Sequence, residues 1–211
     1  MKPIFDAVIF DNDGLLLDTE TAWTRAEQRM WARRGREFTI EDKRAMLGSA
    51  GALAEANLER LLELPGEGPA LLRELQDLAL EEIAVSADPL PGALELLARL
   101  RAQGVPLGLA SNSNRDFVEQ ALATAGVSRD MFAVVLTGDE VPQPKPAPDI
   151  YLLICEALGA RPERTAVLED SPTGVAAAVT AGCFTIGIAS IEGVRLDQAD
   201  VLVDSLAQAP V

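Results

Sequence analysis

One short apolar run stands alone at the front of this chain, and the strands that would pair with it return only after a long helical interruption. Residues 7–10, Ala7-Val8-Ile9-Phe10, end at the acidic turn Asp11-Asn12-Asp13-Gly14. A run of this length bounded by turn residues suits a strand buried on both faces. Residues 19–87 then read as helix after helix. Residues 19–34 form the first and are closed by Gly35, a residue type that ends a helix without strain. Thr39-Ile40-Glu41-Asp42 resembles a capping box and opens a short helix that ends at Gly48. Residues 52–64 run to Pro65-Gly66, and 69–85 carry leucines at helical spacing. After Asp88-Pro89-Leu90-Pro91-Gly92 the texture alternates. Helical patterns at 93–103, 117–125, 150–158 and 174–181 interleave with strand patterns at 105–110, 133–136, 165–168, 184–188 and 201–203. Such alternation predicts an α/β fold, a doubly wound parallel sheet with helices on both faces. Residues 1–17 and 88–211 are expected to form that core, with 18–87 as an all-helical insertion.

Composition narrows the function. The 211 residues carry 18 basic and 33 acidic side chains, a formal net charge of −15. Phosphate backbones and anionic membrane surfaces would repel such a chain, so neither nucleic acid nor membrane is an expected partner. There is no histidine. Ser-His-Asp hydrolysis, phosphohistidine chemistry and His-ligated zinc are thereby excluded. Cys155 and Cys183 are too few for a disulfide scaffold or a zinc cage. The N-terminus reaches Asp6 and Asp11 without a signal-peptide core, and the longest apolar stretch, 175–189, holds two threonines and two glycines. A soluble, cytoplasmic monomer is the expectation.

Ligands of an open parallel sheet bind outside the carboxyl ends of its strands. The first strand there presents Asp11 and Asp13, the strand at 105–110 leads to Ser111, the loop after Leu136 carries Lys145, and the strand at 165–168 leads to Glu169-Asp170. Carboxylates without imidazole or thiolate suit a hard cation such as Mg²⁺. With Lys145 and Ser111 nearby, that cation would hold a phosphoryl group.

The stretches DNDGLLLDTE, ASNS, KPAPD and EDSPTG, in this order, resemble the four signature motifs of the haloacid dehalogenase superfamily. Their spacing is similar to that of its helical-cap subgroup of β-phosphoglucomutase-like and phosphoglycolate-phosphatase-like enzymes, and the resemblance covers essentially the whole chain. It implies a Rossmann-like core with a helical cap at 18–87, and a Mg²⁺-dependent phosphatase acting on a small phosphorylated metabolite, with a sugar phosphate the expected substrate. By this resemblance Asp11 is the nucleophile that forms an aspartyl-phosphate. Asp13 is the general acid and base, and its backbone carbonyl binds the metal. Ser111 and Asn112 contact phosphate, and Lys145 neutralises it. Asp170 is a direct Mg²⁺ ligand, with Glu169 a ligand or a support behind it. The subgroup usually has glycine before this lysine, where Pro144 stands here.

The cap would choose the substrate, hinged at 15–19 and 87–91. Trp23 is a candidate pocket wall and Arg73 a candidate substrate contact, while Arg25, Arg29 and Arg33 recur as a solvated stripe with Glu partners. A phosphomutase is the alternative activity. It is disfavoured because residues 47–51 lack the arginine that related β-phosphoglucomutases use on a far phosphate, and because Trp23 replaces their histidine. An inert scaffold of the same fold is disfavoured because Asp11, Asp13, Lys145 and Asp170 are all present. A cysteine-phosphatase reading of Cys155 and Arg161 fails for want of a glycine-rich loop between them.

Overall fold

The computed structural model describes residues 5–47, 49–188 and 194–211. Among these residues, six strands, all parallel, form one sheet: β1 (Ala7–Asp11), β2 (Leu107–Ser111), β3 (Val134–Thr137), β4 (Thr165–Glu169), β5 (Phe184–Ile188) and β6 (Val201–Val203). Their order is β3-β2-β1-β4-β5-β6. The chain therefore builds outward from β1 on one side, then crosses to the other side at β4, leaving a crevice where the winding reverses. β1 is central, with Phe10 in register with Leu109 on one side and Leu168 on the other. β1, β2 and β4 are buried at every position, which accounts for the apolar runs that lead to their polar C-terminal residues Asp11, Ser111 and Glu169.

Four helices intervene between β1 and the rest of the sheet: α1 (Glu20–Ala32), α2 (Ile40–Met46), α3 (Gly51–Leu62) and α4 (Gly68–Ile83). Thr39 and Asp42 form the anticipated capping box on α2. Gly48, expected to end that helix, lies outside the described residues. The arginine stripe of α1 is tied to α4, Arg29 to Glu81 and Glu82 at 2.6 Å each, and Arg33 to Glu74 at 3.0 Å. The two strands of chain that leave and re-enter the sheet are bonded to each other. Asp18 N donates to Asp88 O at 2.8 Å, and Leu90 N to Leu16 O at 3.0 Å.

The remaining helices are α5 (Ala93–Ala102), α6 (Arg115–Thr124), α7 (Asp149–Leu158) and α8 (Pro172–Thr180). Alternation along the strands splits the core between the two faces of the sheet. Val8 and Phe10 join an apolar cluster that continues through Leu15, Leu16 and Leu17 into Met30, Trp31 and Leu58 of the helical insertion. Ile9 faces the opposite way, into a smaller cluster with Ile154, Cys155, Val167 and Cys183. No helix among the described residues is long and apolar enough to cross a membrane.

Candidate active site

Lys145 is the hub of the crevice. Its side chain is 2% exposed, and its Nζ donates to Asp11 Oδ1 at 2.5 Å, Glu169 Oε1 at 2.6 Å and the Ala110 carbonyl at 3.0 Å. The ends of three strands, β1, β2 and β4, are thus drawn together around a single ammonium carried by one loop. Burial works against its charge, but Asp11 and Glu169 outweigh burial and hold its pKa above the ordinary lysine value. Asn112, expected on the phosphate, clamps the lysine's backbone from both sides. Its amide nitrogen donates to Lys145 O at 3.0 Å, and its Oδ1 accepts from Lys145 N at 2.9 Å. It also lines the cavity described below. The segment between Pro144 and Pro146 is fixed by this clamp as well as by its prolines.

Asp13 lies two residues beyond β1, turned toward a set of hydroxyls. Ser111 Oγ donates to its Oδ2 at 2.5 Å, Ser113 Oγ to the same oxygen at 2.9 Å, and Thr19 Oγ1 to Oδ1 at 2.8 Å. Ser111 therefore ends β2 and holds Asp13, while the N-cap of α6 is Asn114, whose side chain accepts from Phe117 N at 3.0 Å. Sequence reasoning missed Thr19 and Ser113. Both stand inside the quoted motif stretches, Ser113 just past the end of β2 and Thr19 just before α1, where their polar type was the available signal.

Asp11, Glu169 and Asp170 are all buried, and one oxygen from each lies within 4.8 Å of the others. Burial pushes the Asp11 carboxyl well above the ordinary carboxylate range; Lys145 opposes this, and the charges of Glu169, Asp170 and Asp13 add to it. Hard oxygen donors that repel one another fit a divalent cation such as Mg²⁺. The three differ in what already holds them. Glu169 is engaged at both oxygens: Oε1 also accepts from Tyr151 OH at 2.5 Å, and Oε2 accepts from Asp170 N at 3.2 Å and Ser171 Oγ at 3.1 Å. Tyr151, the chain's one tyrosine, was passed over as part of an apolar helix. A buried phenol that must find a partner was the signal. Two glycines make room for this packing. A Cβ on Gly174 would fall 1.9 Å from Glu169 Cδ, and one on Gly14, at φ +77°, 2.4 Å from Asp170 Oδ2.

Above these groups is a cavity of about 120 Å³ shared by the sheet and the insertion. Asp11, Asp13, Asn112, Lys145 and Asp170 line it from the sheet side, and Trp23, Lys43, Met46 and Gln76 from the helices. Trp23 does reach it, with its ring 4.8 Å from that of Phe117 on α6. Arg73 does not. It is exposed on α4, and that helix turns Leu72, Leu75 and Gln76 to the cavity instead. Cys155 is buried in α7 with its thiol 3.6 Å from Thr165 Oγ1, whereas the Arg161 side chain is 66% exposed, so the pair forms no site.

The family model for haloacid dehalogenase-like hydrolases matches residues 5–182. Validoxylamine A 7'-phosphate phosphatase of Streptomyces hygroscopicus subsp. limoneus is 31% identical over 97% of this chain and 96% of its own length. Hexitol phosphatase A of Escherichia coli is 30% identical over 96% of this chain and 92% of its own. Among solved structures, a variant of CbbY from Rhodobacter sphaeroides in complex with xylulose 1,5-bisphosphate superposes with a TM-score of 0.85. It is 28% identical and covers 97% of this chain and 96% of its own.

Proposed function

Since the chain belongs to the haloacid dehalogenase-like hydrolase family, we propose that it is a Mg²⁺-dependent phosphatase that hydrolyses a small phosphomonoester, a sugar phosphate or similar polyol phosphate, by way of an aspartyl-phosphate on Asp11. The observation that carries this reading is the Lys145 ammonium, 2.5 Å from Asp11 Oδ1 at the mouth of the crevice. It aims the buried Asp11 carboxyl and sets a positive charge against the burial that favours its neutral form, as a nucleophile attacking an anion requires. The names of the two phosphatase relatives support the same reaction class.

Asp11 attacks phosphorus, and the bond from phosphorus to the sugar oxygen breaks. Asp13, released from Ser111, Ser113 and Thr19, gives that oxygen its proton and later takes one from the water that cleaves the acyl-phosphate. Ser111 and the Lys145 ammonium receive phosphoryl oxygens. Asp11, Asp170 and the Asp13 carbonyl are the proposed Mg²⁺ ligands, with Glu169 holding Lys145 in place. Bound there, Mg²⁺ supplies positive charge to the phosphoryl group as its bonds exchange. Residues 18–87 act as the cap, excluding water from the cavity when closed over it.

The test is free phosphate release from a panel of sugar and polyol phosphates with and without Mg²⁺. Release that requires the ion and is lost in Asp11→Asn is the expected result. Release that survives Asp11→Asn sinks the covalent route, and silence across the panel sinks the phosphatase reading.

A further inference from the structure

The cavity wall contributed by the insertion is built around a buried ion triplet. Lys43 on α2 places its Nζ 2.8 Å from Glu20 Oε2 and 3.1 Å from Glu27 Oε2, both on α1. The Lys43 and Glu27 side chains are only 13% and 4% exposed, so little water screens the group. Lys43 and Lys145 are the cations among the described residues that line the cavity. Each already holds two carboxylates. Arg29, Arg33 and Arg34 are engaged with the glutamates of α4, and Arg73 points elsewhere. Among the described residues, the wall from the insertion therefore offers a second phosphate no uncommitted positive charge, and meets it with Glu20 and Glu27. What it does offer suits hydroxyls. The two carboxylates accept hydrogen bonds, and Gln76, which makes no side-chain hydrogen bond to any described residue, presents both a donor and an acceptor. Trp23 and Met46 give an apolar surface for the carbon face of a sugar or polyol.

We infer that the Glu20–Lys43–Glu27 triplet is a specificity element that selects monophosphates of neutral hydroxylated compounds and rejects bisphosphates. The inference rests on the phosphatase reading and refines it. The carboxylates do the rejecting, Glu27 in full only above about pH 7 where it has lost its proton, because like charges brought together in a desolvated wall are strongly unfavourable. The fold itself does not impose the choice, since the CbbY structure of the same architecture holds a bisphosphate.

The experiment compares kcat/KM for the monophosphates and bisphosphates of glucose, fructose and xylulose, all with Mg²⁺ present. The best monophosphate is expected to exceed the best bisphosphate by at least about tenfold. In the doubly substituted Glu20→Gln, Glu27→Gln protein, Lys43 is freed and the ratio moves toward bisphosphates by about tenfold or more. A wild-type ratio at or below one overturns the inference and leaves the phosphatase reading standing. A folded double variant with an unchanged ratio also overturns it. If that variant does not fold, the wild-type ratio decides alone. No release from any of these compounds overturns the phosphatase reading, and the inference with it.

Discussion

Gly174→Ala sets two physical effects against each other. The residue lies in the first turn of α8 with a φ that alanine adopts freely, so helix propensity alone favours the change by up to about 1 kcal/mol. Against it, the new methyl would sit 1.9 Å from Cδ and Oε1 of Glu169. A carboxylate at the end of a surface side chain would swing aside at little cost. This one is pinned by Lys145, Tyr151 and Ser171, and none of it is exposed. Overpacking costs about 1–3 kcal/mol, and a buried Tyr151 hydroxyl that loses its acceptor adds about 1–3 kcal/mol. The balance is a net loss of about 3 kcal/mol, once the propensity gain of about 1 kcal/mol is subtracted. For a chain of this size that lowers Tm by about 6–12 °C. Displaced Glu169 also lets Lys145 shift relative to Asp11, and a misplacement of about 1 Å at a reacting centre lowers turnover by about 100-fold. Thermal unfolding and phosphate release measure both. Glu169→Asp shortens the side chain by one methylene, and in the Gly174→Ala background it is expected to recover part of each loss, a coupling that separate single changes would not show. An unchanged or raised Tm together with near-normal turnover would refute the claim that Glu169 is immobile and positions Lys145.

Glu27 makes stability fall as pH rises. Burial lifts its pKa to about 7, with Lys43 opposing and the charges of Glu20 and Asp42 adding to the lift. The folded chain thus keeps a proton that the unfolded chain releases near 4.5, and stability present below that value is lost through pH 7, by about 3 kcal/mol in all. Urea midpoints at pH 5 and pH 8 read this directly, and Glu27→Gln is expected to flatten the difference. Mg²⁺ at about 100 times its Kd adds about 2.7 kcal/mol of stability, a rise in Tm that should vanish in Asp170→Asn. Persistence of the rise in that variant places the ion elsewhere. Asn112→Ala leaves the Lys145 backbone unclamped and should lower kcat more than it raises KM; the reverse split would make Asn112 a substrate contact instead.

The fold was legible where a pattern is local. Ala7 to Phe10 reads as a buried strand because both its faces are covered, and Thr39 with Asp42 form their capping box across a single turn. Element starts were less so. α8 begins at Pro172 rather than Gly174, since Ser171 caps it and proline suits a first turn. α6 begins at Arg115, two residues before the expected Phe117, because Asn114 is the cap. β2 enters the ladder at Leu107 and runs on to Ser111, the residue after proline and the one before the turn. Within the site, Asp11, Asp13, Lys145, Glu169 and Asp170 could be singled out because each stands at a strand end or in its loop. Tyr151, Glu27 and Lys43 could not, since only the packing of separate helices brings them to their partners. Arg73 failed for a related reason: helical spacing alone does not say which face of α4 turns to the cavity.

The paired crossings at Leu16–Leu90 and Asp18–Asp88 carry a consequence for how this architecture diversifies. They shut the excursion at its neck, so the sheet meets its ends in the same place whatever length of chain lies between. A loop whose ends are already tied adds little closure entropy as it grows, about 0.6 kcal/mol for each doubling. The helices beyond the neck can be lengthened, trimmed or exchanged while β1 keeps its register and Asp11 its aim. Natural variation can thus rewrite the helical wall of the cavity without disturbing the strand that carries Asp11.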